Sequence, residues 1–135
     1  MRIVPDTNVL VSALLSPHGS PARILDWSLA GEMILLVDDW ILDAYRCVLP
    51  RAKFGFNAPD VRILLTTLEA LAEGVSALPV SLELPDSDDL PFLEVAHAGK
   101  ADALVTGNTR HFRPLRSQHG VVILTPAQAL ESFRA

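Results

Sequence analysis

Arg2-Ile3-Val4-Pro5-Asp6-Thr7-Asn8-Val9-Leu10 decides how this chain folds. Arg2-Ile3-Val4 is a short apolar strand, and it stops at Pro5-Asp6, where the proline ring removes a ladder N–H. Helical character then runs from Val9 to Leu15, until Ser16-Pro17-His18-Gly19-Ser20 breaks it. The order is strand, acid, helix, with a carboxylate at the point where the strand hands over to the helix.

Working outward, the same alternation continues. Pro21 suits a first helical position, and Ile24, Leu25, Trp27, Ser28 and Leu29 extend that helix to a stop at Gly31. Met33 to Val37 is too short for a helix and reads as a buried strand. Asp38 or Asp39 caps a helix that runs to about Leu49 and ends at Pro50. A further helix fits Pro59 to Gly74, with Val61, Leu64, Leu65, Leu68, Leu71 and Ala72 on one face. Val75 to Leu84 is either a strand or an extended connection. Pro85 to Asp89 supplies a turn before a short helix, Phe92 to His97, closed by Gly99. Ala103-Leu104-Val105 is a strand, Gly107-Asn108 a turn, Val121 to Leu124 another strand, and Thr125-Pro126 opens a terminal helix. Strands alternating with helices of this length imply right-handed crossovers. The expected architecture is one domain, residues 1–135, with a mainly parallel sheet of four or five strands covered on both faces in three α/β/α layers.

Composition narrows the class. The chain has 135 residues, half of them hydrophobic and a fifth charged, enough apolar surface for one core. Neither a signal peptide nor an apolar run of about 18 residues is present, so a soluble cytoplasmic protein with no membrane association is expected. Cys47 is the sole cysteine, which excludes an intrachain disulfide and a thiolate metal cluster; it is expected in the core. The net charge of −5 does not favour a nucleic-acid partner, but charge is unevenly spread. From Ala44 to Pro59 there is no acid but Arg46, Arg51 and Lys53. From Ala103 to Leu130 there is none but Arg110, Arg113 and Arg116. Each basic stretch follows an acidic candidate site.

In an open parallel sheet, functional groups collect at the carboxyl ends of strands. Asp6 follows the first strand, Asp43 lies one turn into the helix after the second, Asp89 opens the helix before Ala103–Val105, and Asn108 follows that strand. Carboxylates gathered without basic partners repel one another, so a fold that collects them usually does so for a cation. Oxygen-only ligands suit Mg²⁺ or Mn²⁺, and no His/Cys spacing here suits zinc.

Val4-Pro5-Asp6-Thr7-Asn8-Val9-Leu10 resembles the opening of PIN domains, where a strand ends in Asp-Thr-Asn. Ile41-Leu42-Asp43-Ala44-Tyr45-Arg46-Cys47-Val48-Leu49 is similar to their second motif. Asp86-Ser87-Asp88-Asp89-Leu90-Pro91-Phe92 and Asp102-Ala103-Leu104-Val105-Thr106-Gly107-Asn108 are similar to the third and fourth. The resemblance covers nearly the whole chain and is nearest to the toxin components of toxin–antitoxin pairs. It implies a Mg²⁺- or Mn²⁺-dependent endoribonuclease, commonly a homodimer, with a small antitoxin protein as a possible partner. On this reading Asp6, Asp43 and Asp89 hold the metal and Asn108 completes the catalytic set. Asn8, Thr106 and Asp86 support it, and Arg46, Arg51 and Arg110 contact RNA phosphates.

Two positions depart from the family pattern. The second motif usually carries Glu, and Asp43 reaches roughly 1.5 Å less far. The fourth often carries Asp where this chain has Asn108 or His111. Asp102 precedes its strand and so belongs to the opposite edge. These departures leave a second reading, a weak or inert module that binds RNA or an antitoxin. A phosphoacceptor role for Asp6 fits poorly, since Thr7 and Asn8 stand where a second acid is needed. Trp27, Trp40 and the phenylalanines are expected in the core or at a dimer interface rather than as base-stacking platforms, and the four histidines share no spacing that suggests catalysis.

Overall fold

The computed structural model describes residues 1–77, 89–109 and 120–134. Asp86, Asp88, Arg110, His111, Arg113, Arg116 and His119 lie outside the described residues, as does the stretch from Pro79 to Leu84. Five strands, β1 (Arg2–Pro5), β2 (Ile34–Val37), β3 (Glu73–Gly74), β4 (Ala103–Val105) and β5 (Ile123–Leu124), form one sheet in the order β3-β2-β1-β4-β5. Every neighbouring pair is parallel. The helices are α1 (Thr7–Leu15), α2 (Ser20–Leu29), α3 (Asp39–Val48), α4 (Ala58–Leu71), α5 (Leu90–Ala98) and α6 (Pro126–Arg134). Together they make the expected three-layer α/β/α fold.

The central strands are mostly apolar because both sheet faces are covered there, whereas the edge strand β3, Glu73–Gly74, is exposed. Ile3, Val4, Ala103, Leu104 and Val105 are fully buried. On one side α2 packs against α1 and α6, while α5 lies against β1, β2 and β4. Gly99, which closes α5, shows how tight that contact is: a Cβ there would sit 2.8 Å from the Leu36 side chain.

Capping residues set the helix starts. Asp38, rather than Asp39, caps α3 by accepting the Ile41 N–H at 2.8 Å. Asn57 caps α4 in the same way. Thr125 and Gln128 cap α6 reciprocally, each side chain accepting the other's backbone N–H.

Two expectations need correction. Helix α4 ends at Leu71, before Gly74, because Ala72 turns extended and the chain joins β2, with the Val75 N–H donating to the Val37 carbonyl at 2.8 Å. The third strand therefore lies at residues 73–74, earlier than the segment left open in the sequence. The expected apolar face of α4 is also only partly covered: Val61 and Leu68 are buried, Leu64 and Leu65 are half-buried, and Leu71 is exposed.

Strand order places the site. From β1 the chain moves to β2 and β3 on one side, then crosses to β4 and β5 on the other. The strand order reverses between β1 and β4, and the crevice outside the carboxyl ends of the strands at such a switch point is where these sheets bind ligands.

Candidate functional site

Asp6 stands at that crevice, directly after β1, and its backbone N–H donates to the Val105 carbonyl at 2.9 Å, extending the β1–β4 pairing. Its carboxylate is buried and oriented from two sides. Oδ1 accepts the Val9 N–H at 3.0 Å, capping α1. Oδ2 accepts the hydroxyl of Thr106, a fully buried residue at the end of β4. Thr106 Oγ1 in turn accepts the Asn108 N–H at 3.1 Å. A carboxylate has about four lone-pair sites, so it can cap a helix and take other contacts at once. The capping role and the site role of Asp6 are thus compatible, and Thr106 connects the two central strands through it.

Asp6 and Asp89 line one cleft of ≈ 290 Å³, together with Thr7, Asn8, Trp40, Ala44, Cys47, Val48, Arg51 and Phe92. Asp89 begins α5 without capping it, and its Oδ2 is shielded from solvent. The amino ends of α1 and α5 both open here, so their partial positive charge favours an anion in the cleft.

The wall opposite is α3, and its register decides which side chains enter. Trp40, Ala44, Cys47 and Val48 recur at helical spacing and face the cleft, and Arg51, beyond the end of α3, lines it as well. Asp43 falls on the flank. Its side chain is 75% exposed and accepts a 3.0 Å hydrogen bond from Arg46, so it does not join Asp6 and Asp89. Of the three acids expected together, Asp6 and Asp89 line the cleft and Asp43 does not; its neighbour Ala44 does. Among the described residues, no three His, Cys, Asp or Glu side chains group as a metal site.

Tyr45, on the buried side of α3, donates its hydroxyl to the Pro5 carbonyl at 2.7 Å, one residue before Asp6. Burial pushes the phenol well above its usual range, and the negative charges of Asp6 and Asp38 add to the effect. Tyr45 thereby fixes α3 against the end of β1.

The remaining expectations divide. Asn8 lines the cleft and Thr106 orients Asp6, both in supporting positions. Asn108 is exposed, and its backbone N–H donates to Thr106. Arg51 lines the cleft. Arg46 does not: it bridges Asp43 and Glu69, joining α3 to α4, and those carboxylates hold its guanidinium firmly protonated, Glu69 foremost. Asp102 sits at the opposite edge and accepts the Arg2 N–H at 2.7 Å. Cys47, expected in the core, is exposed. Trp40 is 43% exposed and helps form the cleft wall. The i, i+4, i+7 spacing of Trp40, Ala44 and Cys47 could have revealed this face. It was hidden because an apolar stripe usually marks the core.

With this geometry in place, comparison with known proteins is informative. The model of the PIN domain family matches residues 2–110. The chain belongs to the PIN domain family. PIN domains are generally nucleases and generally use divalent metals, and the fold suggests a nucleic-acid ligand. A relative in Methanocaldococcus jannaschii, an uncharacterized protein, is 29% identical over an alignment of 144 residues that spans 98% of this chain and 92% of that one. No helix among the described residues of this PIN domain is long and apolar enough to cross a membrane.

Proposed function

We propose that this PIN domain is an endoribonuclease that works with a single Mg²⁺ or Mn²⁺ held by Asp6 and Asp89. The observation that carries this reading is the shared cleft: two carboxylates from different elements face one crevice at the sheet's carboxyl edge. Two carboxylates fit a Mg²⁺ ion, which commonly keeps several waters and takes one or two acidic ligands beside a substrate phosphate. They do not suffice for a closed two-ion cluster. Bound there, the dication supplies Lewis-acid polarisation and stabilises charge on the departing oxygen.

The chain's own residues do the rest. Thr106 and the Val9 N–H fix the direction of the Asp6 carboxylate. Arg51, at the cleft margin, neutralises a backbone phosphate, and the amino end of α1 adds dipolar attraction. Water attacks phosphorus in line and the P–O3′ bond breaks, leaving 5′-phosphate and 3′-hydroxyl ends. In an assay with single-stranded RNA and Mn²⁺, Asp6→Asn and Asp89→Asn should each abolish cleavage, because Asn keeps the shape and removes the charge. Wild-type rates in either variant would overturn the assignment.

A second reading is favoured by Ala44, which leaves the α3 wall without an acid: a weakly active or inert module that binds RNA or a small antitoxin-like protein. A role as the toxin of a toxin–antitoxin pair, active in the cytoplasm as a homodimer, belongs to the same proposal. The exposed apolar side chains of α4, Ile63 and Leu71, are available for such contacts. Turnover of RNA by the wild-type chain separates the two readings.

A further inference from the structure

We propose that Trp40 is a stacking platform for an unpaired RNA base beside the scissile phosphate, and that the second cleft beyond it receives the edge of that base. The proposal deepens the ribonuclease reading and rests on it for the identity of the ligand. Trp40 lines two clefts at once. One is the cleft of Asp6 and Asp89; the other, of ≈ 460 Å³, is bounded by Asp38, Asp39, Gly74, Val75 and Ser76 at the carboxyl ends of β2 and β3. Trp40 therefore stands between the cleft of the carboxylates and a neighbouring cavity.

Its mounting suits a platform. Trp40 meets Phe92 edge to face, with ring centroids 5.8 Å apart and planes at 90°. Phe92 is buried and lies 6.5 Å from the ring of Tyr45, which is fully buried. A row of three aromatic rings thus leads from the core to a partly solvated indole, which fixes its orientation before any ligand arrives. Unpaired bases stack on such rings, and every base has a π-face, so the contact is tolerant of sequence.

Charge sorts the two clefts. The cleft of the two catalytic carboxylates has Arg51 on its wall, a partner for the sugar–phosphate backbone. The described lining of the second cleft contains no Lys or Arg and carries Asp38 and Asp39. It repels phosphate but accepts hydrogen bonds from the N–H groups of a base edge. Asp38 already caps α3, which leaves Asp39, exposed in the first turn, as the edge-reading carboxylate.

The test uses Trp27→Phe as parent, since Trp27 packs on Phe133 and the substitution leaves Trp40 as the sole indole. Titrating a single-stranded RNA hexamer in EDTA should quench Trp40 emission. Trp40→Ala should weaken binding about tenfold, followed by anisotropy of a labelled hexamer, and Trp40→Phe should keep most of the affinity. An abasic oligonucleotide of the same length should bind parent and Trp40→Ala equally. Emission unmoved by saturating RNA, or equal affinity of Trp40→Ala and parent for the base-bearing hexamer, would overturn the proposal while leaving the ribonuclease assignment to the Asp6→Asn result. Conversely, quenching by RNA that is never cleaved keeps the platform and removes the nuclease.

Discussion

Replacing Tyr45 by Phe removes one oxygen atom and keeps the ring that packs on Phe92. The lost group is a fully buried hydroxyl that donates to the Pro5 carbonyl at 2.7 Å. Leaving that carbonyl buried without its donor costs about 1.5 kcal/mol, and for a domain of this size Tm should fall by roughly 5 °C. The pH dependence has a definite sign. The folded phenol is raised well above the ordinary value, 10.0, chiefly by burial. Above about pH 10 the unfolded chain ionises while the folded one stays protonated, so the unfolded state binds fewer protons and stability falls as pH rises. That alkaline component should be absent in Tyr45→Phe. Tyr45 is the sole tyrosine, so phenolate absorbance at about 295 nm reports this residue alone. Native protein should show no phenolate until circular dichroism reports unfolding. Because Tyr45 positions Asp6 and touches no substrate, RNA cleavage by Tyr45→Phe should fall in kcat while KM holds. A phenolate appearing near pH 10 in folded protein, or an unchanged Tm in Tyr45→Phe, would refute the reasoning.

Other predictions follow from the register of α3. Asp43→Ala should leave Mn²⁺ affinity and cleavage within about twofold of wild type, since an exposed ion pair contributes little. A large loss of cleavage would return Asp43 to the site. Ala44→Glu should add a carboxylate to the cleft. A unit charge about 4 Å from a dication in water gains about 2 kcal/mol, which is roughly thirtyfold in Mn²⁺ affinity by calorimetry, and an unchanged affinity would show that position 44 does not face the ion. Cys47 is exposed on the cleft wall, so maleimide should label native protein at that residue and the adduct should block RNA binding. Slow labelling, or RNA binding untouched by the adduct, would place Cys47 elsewhere.

The fold was readable because its signals were local. Pro5-Asp6 ends β1, Gly99 closes α5 and Thr125-Pro126 opens α6, each by backbone chemistry that needs no distant partner. The short parallel strands were legible from apolar runs such as Leu35-Leu36-Val37, buried on both faces. The site was only half readable. Asp6 and Asp89 sit at element boundaries, where sequence position and spatial position coincide. Asp43 lies inside a helix, where a shift of one residue rotates a side chain by about 100°, and the motif alone could not say whether 43 or 44 turns inward. Cys47 was expected in the core, and Trp40 in the core or at a dimer interface, because an apolar stripe on a helix has the same spacing whether it meets the core or lines a cleft. Residues 78–88 and 110–119, which hold Asp86 and Arg110, lie outside the described structure.

On the proposed reading, Asp6 and Asp89 act on the same ligand across one cleft. Mn²⁺ titration by isothermal calorimetry, on wild type, Asp6→Asn, Asp89→Asn and Asp43→Ala, tests this directly. Wild type and Asp43→Ala should each bind one ion per chain, and each of the other two variants should lose that ion. Binding that survives Asp6→Asn or Asp89→Asn, or that disappears only in Asp43→Ala, would contradict it.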